Sequence, residues 1–422
     1  MSNGTLQQLA SKGVQDTHLS ISPETSFWKR TYKRVSNYAT ESIDITIPSF
    51  NFGQESVTQI SRNGDLISDV WLVVTLKLLR LASPSTDTVR WTNVLGHALI
   101  ESAALEVGNN EIDKTTGLLM EIMHELESDV NRDVDELVLR AQNATQLINW
   151  SHDGNTFYDS GGAMCTRLYI KLPFYLSAAP SQAMPVISLQ YHDIRCKIKT
   201  RTKEALYVCS NNSNTTLSTT YDGAVQNASF MVDFVYLDST ERRLFAANAH
   251  EYLITNWQIS EFNTKDSAAV TGNYSVTFNH PVTAMYWVVQ KSTNSAAPAD
   301  QSTGRDYFNF ERTANRGDDT FCTATIKFNG SEREKARDPL YFRVIKSAKH
   351  FNRTPRKNVY NYPFSMYPSS WFPSGSCNLS RIDTTTVSFT FPQYEIDGST
   401  SFAAADCKVF AKNFNVVRIQ GG

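Results

Sequence analysis

Two short segments of this chain occur twice, in the same order. VWLVV at 70–74 is echoed by MYWVV at 285–289, and KLPFY at 171–175 is echoed by NYPFS at 361–365. Each proline segment is followed by a second proline, Pro185 or Pro373. A strand-like run comes next, carrying Asp193-Ile194 in the first half and Ile382-Asp383 in the second. Internal repetition constrains a fold more than any single motif, because both halves must then adopt one architecture. The spacing supports the repeat. Val74 and Pro173 are 99 residues apart and Val289 and Pro363 are 74 apart, so the first interval is longer by 99 − 74 = 25. Segment 114–143 accounts for most of that excess. It is rich in Leu, Met, Glu, Asp and Arg, and Leu119, Ile122, Met123 and Leu126 fall on one helical face. The segment reads as a helical insertion in a loop of the first copy, with an acidic outer face.

Outside that insertion the pattern is β. Short runs with β-branched and aromatic residues lie at 42–47, 70–78, 99–107, 168–172, 186–198, 229–237, 275–278, 285–290, 323–328, 386–391 and 408–419, separated by Gly, Pro, Asn, Asp and Ser clusters. Aromatic residues reach 11% of the chain, which favours pleated, half-buried strands. Two β-domains of about 200 residues each, with Pro-rich turns, fit jelly rolls. The predicted fold is therefore all-β: a double jelly roll of two tandem eight-stranded sandwiches, with the helical insertion in the first. The polar residues 1–26 read as an N-terminal arm, 27–240 as the first roll and 241–422 as the second, with the boundary between Asp238 and Asn248.

Charge and chemistry narrow the function. Lys and Arg total 40 against 42 Asp and Glu, so direct binding of nucleic acid is not expected. The longest apolar run begins at Val70 and is broken by Lys77 and Arg80, short of a bilayer span. The N-terminus lacks a basic start followed by an apolar stretch, so the chain reads as made in a cytosol. Cys196 and Cys209 flank the turn 200–205 and would face each other if it closed a hairpin; the cytosolic reading favours two reduced thiols. No catalytic, cofactor or metal motif stands. His124-Glu125 opens like a zinc-protease helix, but Ser128 occupies the position of the second histidine. His97, His192 and His280 read as structural histidines. Asp193 and Asp383 could be offered as a glycosidase pair, but sequence alone cannot bring them together. Arg316-Gly317-Asp318 reads as a chance tripeptide, and sequons such as Asn227 and Asn329 as unused without a signal peptide. One surface candidate remains: Lys29, Arg30, Lys33 and Arg34 interleave with Phe27, Trp28 and Tyr32. Such mixing fits a nucleic-acid or membrane-surface contact, or simply the start of a folded domain.

A family resemblance covers nearly the whole chain. Gln15-Asp16, Ser22-Pro23 and Phe27…Tyr32-Lys33-Arg34 resemble the opening of major capsid proteins of nucleocytoplasmic large DNA viruses. After the Arg, Val35-Ser36-Asn37-Tyr38 departs from the family's His-Thr-Asn-Phe but keeps Asn and an aromatic. Blocks 64–76, 90–113, 168–198, 278–290 and 373–389 follow in the family's order, and NFNVVRIQGG at 413–422 is similar to its ending, although family chains usually continue past the Gly pair. The resemblance implies a structural protein and not an enzyme. It also implies homotrimeric, pseudo-hexagonal capsomers that tile an icosahedral shell over an internal membrane, in contact with neighbouring capsomers and with minor capsid and penton proteins. Assembly would take place in the host cytoplasm. Loops 210–222 and 291–305 would form the outer surface, while the arm, with Lys29, Arg30, Lys33 and Arg34, would lie on the inner side or at capsomer contacts. The alternative is a double-jelly-roll glycan hydrolase or lectin; a minor or penton protein more often carries one roll.

Overall fold

The computed structural model describes residues 3–29, 32–82, 88–128, 135–141, 144–153, 157–158, 164–209, 216–265, 271–291, 307–311, 319–392 and 405–420. The chain divides into two compact units, 1–37 and 38–422. The first is short and exposed. It holds a helix at Asn3–Ala10, a 3-10 turn at Val14–Asp16 and a helical turn at Thr17–Ser20.

In the second unit, period-2 alternation builds sixteen principal strands among the described residues. The first eight are β1 (Tyr38–Thr46), β2 (Glu55–Ile60), β3 (Leu66–Leu76), β4 (Ile100–Val107), β5 (Asn110–Thr115), β6 (Met164–Lys171), β7 (Ile194–Thr200) and β8 (Val225–Leu237). The second eight are β9 (His250–Lys265), β10 (Thr271–Val276), β11 (Pro281–Lys291), β12 (Thr323–Phe328), β13 (Ser331–Arg337), β14 (Tyr360–Pro363), β15 (Thr385–Thr390) and β16 (Ala405–Ile419). The two sets form the same pair of antiparallel sheets. β1-β8-β3-β6 and β2-β7-β4-β5 make one sandwich; β9-β16-β11-β14 and β10-β15-β12-β13 make the other. This is a double jelly roll.

The sequence echoes coincide in register as well as in order. Trp71 of β3 lies opposite Lys171, and Tyr286 of β11 lies opposite Asn361. VWLVV and MYWVV are thus the same strand, paired to the same proline-ended neighbour. Met184–Pro185 then pairs with Ile67 and Leu66, as Cys377–Asn378 pairs with Val282 and Pro281. The structural counterpart of Pro185 is therefore Asn378 and not Pro373.

Some local expectations are corrected. Segment 186–198 is not one strand: Val186–Ser188 forms a 3-10 turn, an exposed corner follows at Tyr191 and His192, and only Ile194 onward is β. Cys196 and Cys209 do not face each other in a hairpin, since β7 pairs with β2 and β4 while Tyr207–Cys209 pairs with Val89–Trp91; both are buried and no disulfide joins them. Leu217–Asp222, inside an expected outer loop, pairs with Leu79–Leu81. Residues 210–215 of that loop, most of 291–305 and Arg316-Gly317-Asp318 lie outside the described residues.

The insertion holds helix α1 (Gly117–Glu127) and a 3-10 turn at Asp135–Val138; helix α2 (Ala144–Asp153) follows beyond its expected end. Thr116 caps α1, its Oγ1 accepting from Leu119 N at 3.3 Å. Leu119, Ile122 and Leu126 are buried and Met123 partly so, as the helical spacing requires. Gly117 lets α1 start hard against the Leu95–Leu99 helix, because a Cβ there would overlap the His97 carbonyl oxygen. A further helix, α3 (Ser239–Ala247), connects β8 to β9.

Strand β11 shows how the rolls share apolar packing. Met285, Trp287 and Val289 point into the second roll's own core. The alternate residues Ala284, Tyr286 and Val288 join the cluster built mainly by the first roll. Both faces are covered, so the strand reads as an unbroken apolar run. Each fully buried large side chain contributes about 1.5–3 kcal/mol relative to exposure.

Candidate functional site: a buried ionic seam and the assembly surfaces

Helix α1 was expected to turn an acidic face to solvent. It does the opposite. Glu121 and Glu125 are buried, and Glu127 is nearly so. Glu121 Oε1 accepts from Arg140 Nη1 at 2.8 Å and from Lys357 Nζ at 2.7 Å, while Oε2 accepts from Arg140 Nη2 at 2.6 Å and lies 2.9 Å from His97 Nδ1. Glu125 Oε2 accepts from Arg356 N at 2.8 Å, and Glu127 Oε1 accepts from Lys412 Nζ at 2.9 Å. Arg140 Nε sits 2.9 Å from Asp135. Lys357, Arg356 and Lys412 belong to the second half of the chain, so the seam ties one roll to the other.

Burial opposes the charge on Glu121, but Lys357, Arg140 and the His97 hydrogen bond outweigh it and hold the carboxyl well below its ordinary range. Burial lowers the His97 pKa despite Glu121 beside it. The imidazole is therefore neutral near pH 7, and its Nδ1–H donates to Glu121. His97 is thus a satisfied structural histidine, as its sequence context suggested. The inward acidic face was not legible from α1 alone, because two of its cations, Lys357 and Lys412, lie more than two hundred positions away and only Arg140 is near in sequence. A signal did exist at Lys412, a cation amid the apolar residues of the strand-like run 408–419.

Asp113 is the other buried carboxyl of interest. Burial raises its pKa to about 7, against backbone hydrogen bonds from Tyr175 and Lys114. Those two N–H groups occupy one oxygen each, at 2.7 and 2.8 Å. The carboxyl is held in the wall between the rolls and does not face a substrate space. A cavity of about 300 Å³ nearby, lined by residues that include Ile112, Tyr175, His192, Val417 and Arg418, has no carboxylate among its lining residues. Glycoside hydrolysis needs two carboxylates across one cleft. Asp193 and Asp383 do not supply them there: Asp193 pairs with Arg195 at 3.6 Å, and Asp383 is exposed in the second roll.

The surface candidates differ in kind. In the arm, Lys29, Lys33 and Arg34 are exposed, as are Phe27, Trp28 and Tyr32; Arg30 lies outside the described residues. Ser26 Oγ accepts from Trp28 N at 3.3 Å, and Ser26 bridges Lys29, so a tight turn displays the tryptophan. On the second roll, Met366, Tyr367, Trp371 and Phe372 form an exposed apolar group. Such patches mark interaction surfaces.

Comparison with known proteins agrees with this picture of a structural chain built from two rolls. Residues 26–238 match the family described as major capsid protein N-terminus, and residues 241–422 match large eukaryotic DNA virus major capsid protein. The chain is 30% identical to the major capsid protein of Pyramimonas orientalis virus over 444 aligned residues, covering 99% of this chain and 98% of that one. It is 31% identical to the major capsid protein of Paramecium bursaria Chlorella virus 1, with the same coverage. The solved structure of VP54 from the PBCV-1 virus is similar, with TM-score 0.75 and 28% identity over 94% of this chain and 98% of that one. The Faustovirus major capsid protein shares the fold, with TM-score 0.71 at 12% identity over 99% of this chain and 96% of that one. The chain belongs to the major capsid protein family of the large eukaryotic DNA viruses, and is a component of the virion shell.

Proposed function

We propose that three copies of this chain form a pseudo-hexagonal capsomer, and that capsomers tile an icosahedral shell. The observation that carries this reading is the duplication within one chain. Two rolls of the same topology give six in a trimer, so a six-sided tile needs only three chains. On this reading residues 27–240 and 241–422 are the two tile units and the chain has no enzymatic role. Capsomers assemble in the host cytoplasm beside neighbouring capsomers and minor capsid and penton proteins. Lys29, Arg30, Lys33 and Arg34 lie on the inner side of the shell, where cations and exposed aromatics suit anionic headgroups of an internal membrane or acidic protein partners.

Light scattering on a sizing column tests the capsomer. A species of about 142 kDa, three times the 47.4 kDa chain, is expected; a stable monomer of 47.4 kDa would overturn the reading. Deletion of residues 1–26 should leave trimers intact and impair shell assembly seen by electron microscopy. Intact shells from that deletion would remove the arm from the mechanism.

A further inference from the structure

The two rolls finish their last strands differently. In the first roll, β8 has β1 on one side and β3 on the other as far as Val235. The turn at Asp65 then closes the gap: Asp65 N donates to Val235 O at 3.1 Å, and Leu237 N donates to Asp65 Oδ2 at 2.9 Å. In the second roll, β16 loses β11 after Asn413 but stays paired with β9 as far as Ile419. The turn before β11 is engaged elsewhere. Asn279 exchanges hydrogen bonds with the Gln258 side chain, and His280 N donates to Ser380 Oγ at 2.8 Å. Among the described residues, 414–419 therefore keep one backbone edge with no strand beside it. Val416 N donates instead to the side chain of its neighbour Asn415, at 2.8 Å. An open strand edge is a template for pairing, and folded proteins blunt or cover it. Neither proline nor lysine interrupts FNVVRI here, and Val416 is 56% exposed.

The cavity of about 300 Å³ runs along that edge. Its wall includes Val417, Arg418, Ile419 and Gln420 in succession. Successive strand side chains point to opposite faces, so a space touched by four consecutive residues lies beside their backbone. The facing wall comes from the first roll, with Val107, Asn110 and Ile112 of the β4–β5 hairpin. Strand β5 is itself the edge of its sheet. Met184 and Leu189 add further apolar wall. The result is a slot between two strand edges, one from each roll.

We propose that 414–420 is a docking edge for an extended segment of a different protein of the particle, which adds to β16 as a further strand and drops apolar side chains into the slot. Three features select that occupant. A row of backbone groups is satisfied by another backbone, and an acyl chain leaves it unpaired. The first roll walls the far side, so a single extended chain fits where the sandwich of a second copy does not. The lining from Val107, Ile112, Met184, Leu189, Val417 and Ile419 suits a segment with a large apolar residue at every second position. Arg418 at the rim is already paired with Glu251 at 2.5 Å, so the edge asks for no strong charge on its partner. The inference rests on the shell reading and adds where and how a partner segment is gripped.

The test is amide hydrogen exchange of 414–420, read by mass spectrometry on the full chain as free trimers and in intact particles. Exchange should be at least about tenfold slower in the particle, while 235–237 of the first roll exchanges alike in both. Equal exchange of 414–420 in the two samples would overturn the proposal. Slow exchange already present in free trimers would overturn it too, because a copy of this chain would then cover the edge. A synthetic probe, acetyl-Thr-Leu-Thr-Leu-Thr-Leu-Thr-amide, should slow exchange of 414–420 in the free chain, and dodecanoate should not; the reverse result would assign the slot to lipid. Val416→Pro removes an N–H that is given to Asn415 and not to β9, so the variant should melt with the parent and lose the effect of the probe. Undiminished protection in that folded variant would sink strand addition, and the comparison of trimers with particles stands without any variant. A parent chain that runs as a monomer would count against the capsomer reading alone, since the probe would still report on the edge.

Discussion

Replacing Glu121 with Gln tests whether the seam between the rolls is held by charge. The carboxylate receives hydrogen bonds from His97, Lys357 and both terminal nitrogens of Arg140, all between 2.6 and 2.9 Å. Gln keeps the volume but removes the charge, and its amide nitrogen must face a cation. Arg140 retains Asp135 at 2.9 Å and Glu125 at 3.4 Å, and Lys357 retains the Phe308 ring at 5.2 Å and part of its access to water. The stranded cations are therefore partly compensated. Breaking a buried ion pair costs about 3–5 kcal/mol, and the lower part of that range, about 3–4 kcal/mol, is expected here. The double variant Glu121→Gln/Lys357→Met removes one stranded cation and should recover about 1–2 kcal/mol. The assay is urea unfolding followed by tryptophan fluorescence and circular dichroism, at a chain concentration low enough to keep the protein monomeric. The single variant should also split a shared transition into two, because the rolls lose their main polar tie. A shift below about 1 kcal/mol, with one transition retained, would refute the role assigned to Glu121.

Other outcomes follow from the same structure. Asp113, raised to about 7, holds a proton in the folded chain that the unfolded chain has released, so its contribution to stability fades as pH rises from about 4 to about 7. His97 is neutral when folded, so stability is lost as pH falls below its ordinary value of about 6.5. Between pH 5 and 6.5, roughly, these slopes oppose at up to about 1.4 kcal/mol per pH unit each. Asp113→Asn should therefore leave stability rising with pH across that window, in urea midpoints at three pH values; a falling profile would contradict it. Gly117→Ala should cost about 3 kcal/mol by pushing α1 off the His97 carbonyl, read as a lower melting temperature. Trp287→Ala should cost about 3–5 kcal/mol, since Trp287 is fully buried against Phe342 at 5.1 Å and Tyr360 at 6.2 Å; Val73→Ala, on the partly exposed face of the first roll, should cost about 1 kcal/mol by the same urea assay.

The architecture was legible because duplication leaves marks that survive divergence. A strand ending in Leu-Pro-Phe or Tyr-Pro-Phe must stop pairing at its proline, and its register against the preceding apolar strand is then set. Trp71 opposite Lys171 and Tyr286 opposite Asn361 show that register kept in both rolls. Local readings failed where the deciding partner was remote in sequence. Glu121 looks like a solvated helix residue until Lys357 is placed beside it, and Cys196 looks like a hairpin partner of Cys209 until β4 and β2 claim its strand. The run 186–198 misled for a different reason: apolar residues packed by a 3-10 turn imitate strand composition without strand periodicity. The arm's basic residues were visible as a pattern, but a pattern on an exposed segment names no partner.

The two-sided burial of β11 has a genetic corollary. Because Trp287 serves one core and Tyr286 the other, a one-residue insertion or deletion within the strand would trade every side chain between the cores at once. Length change is therefore barred from this strand while remaining open to the loops around it. Diversification among relatives should accumulate as inserted loop sequence around a strand of fixed length, which makes β11 the natural anchor for aligning distant members and a poor site for displaying foreign peptides.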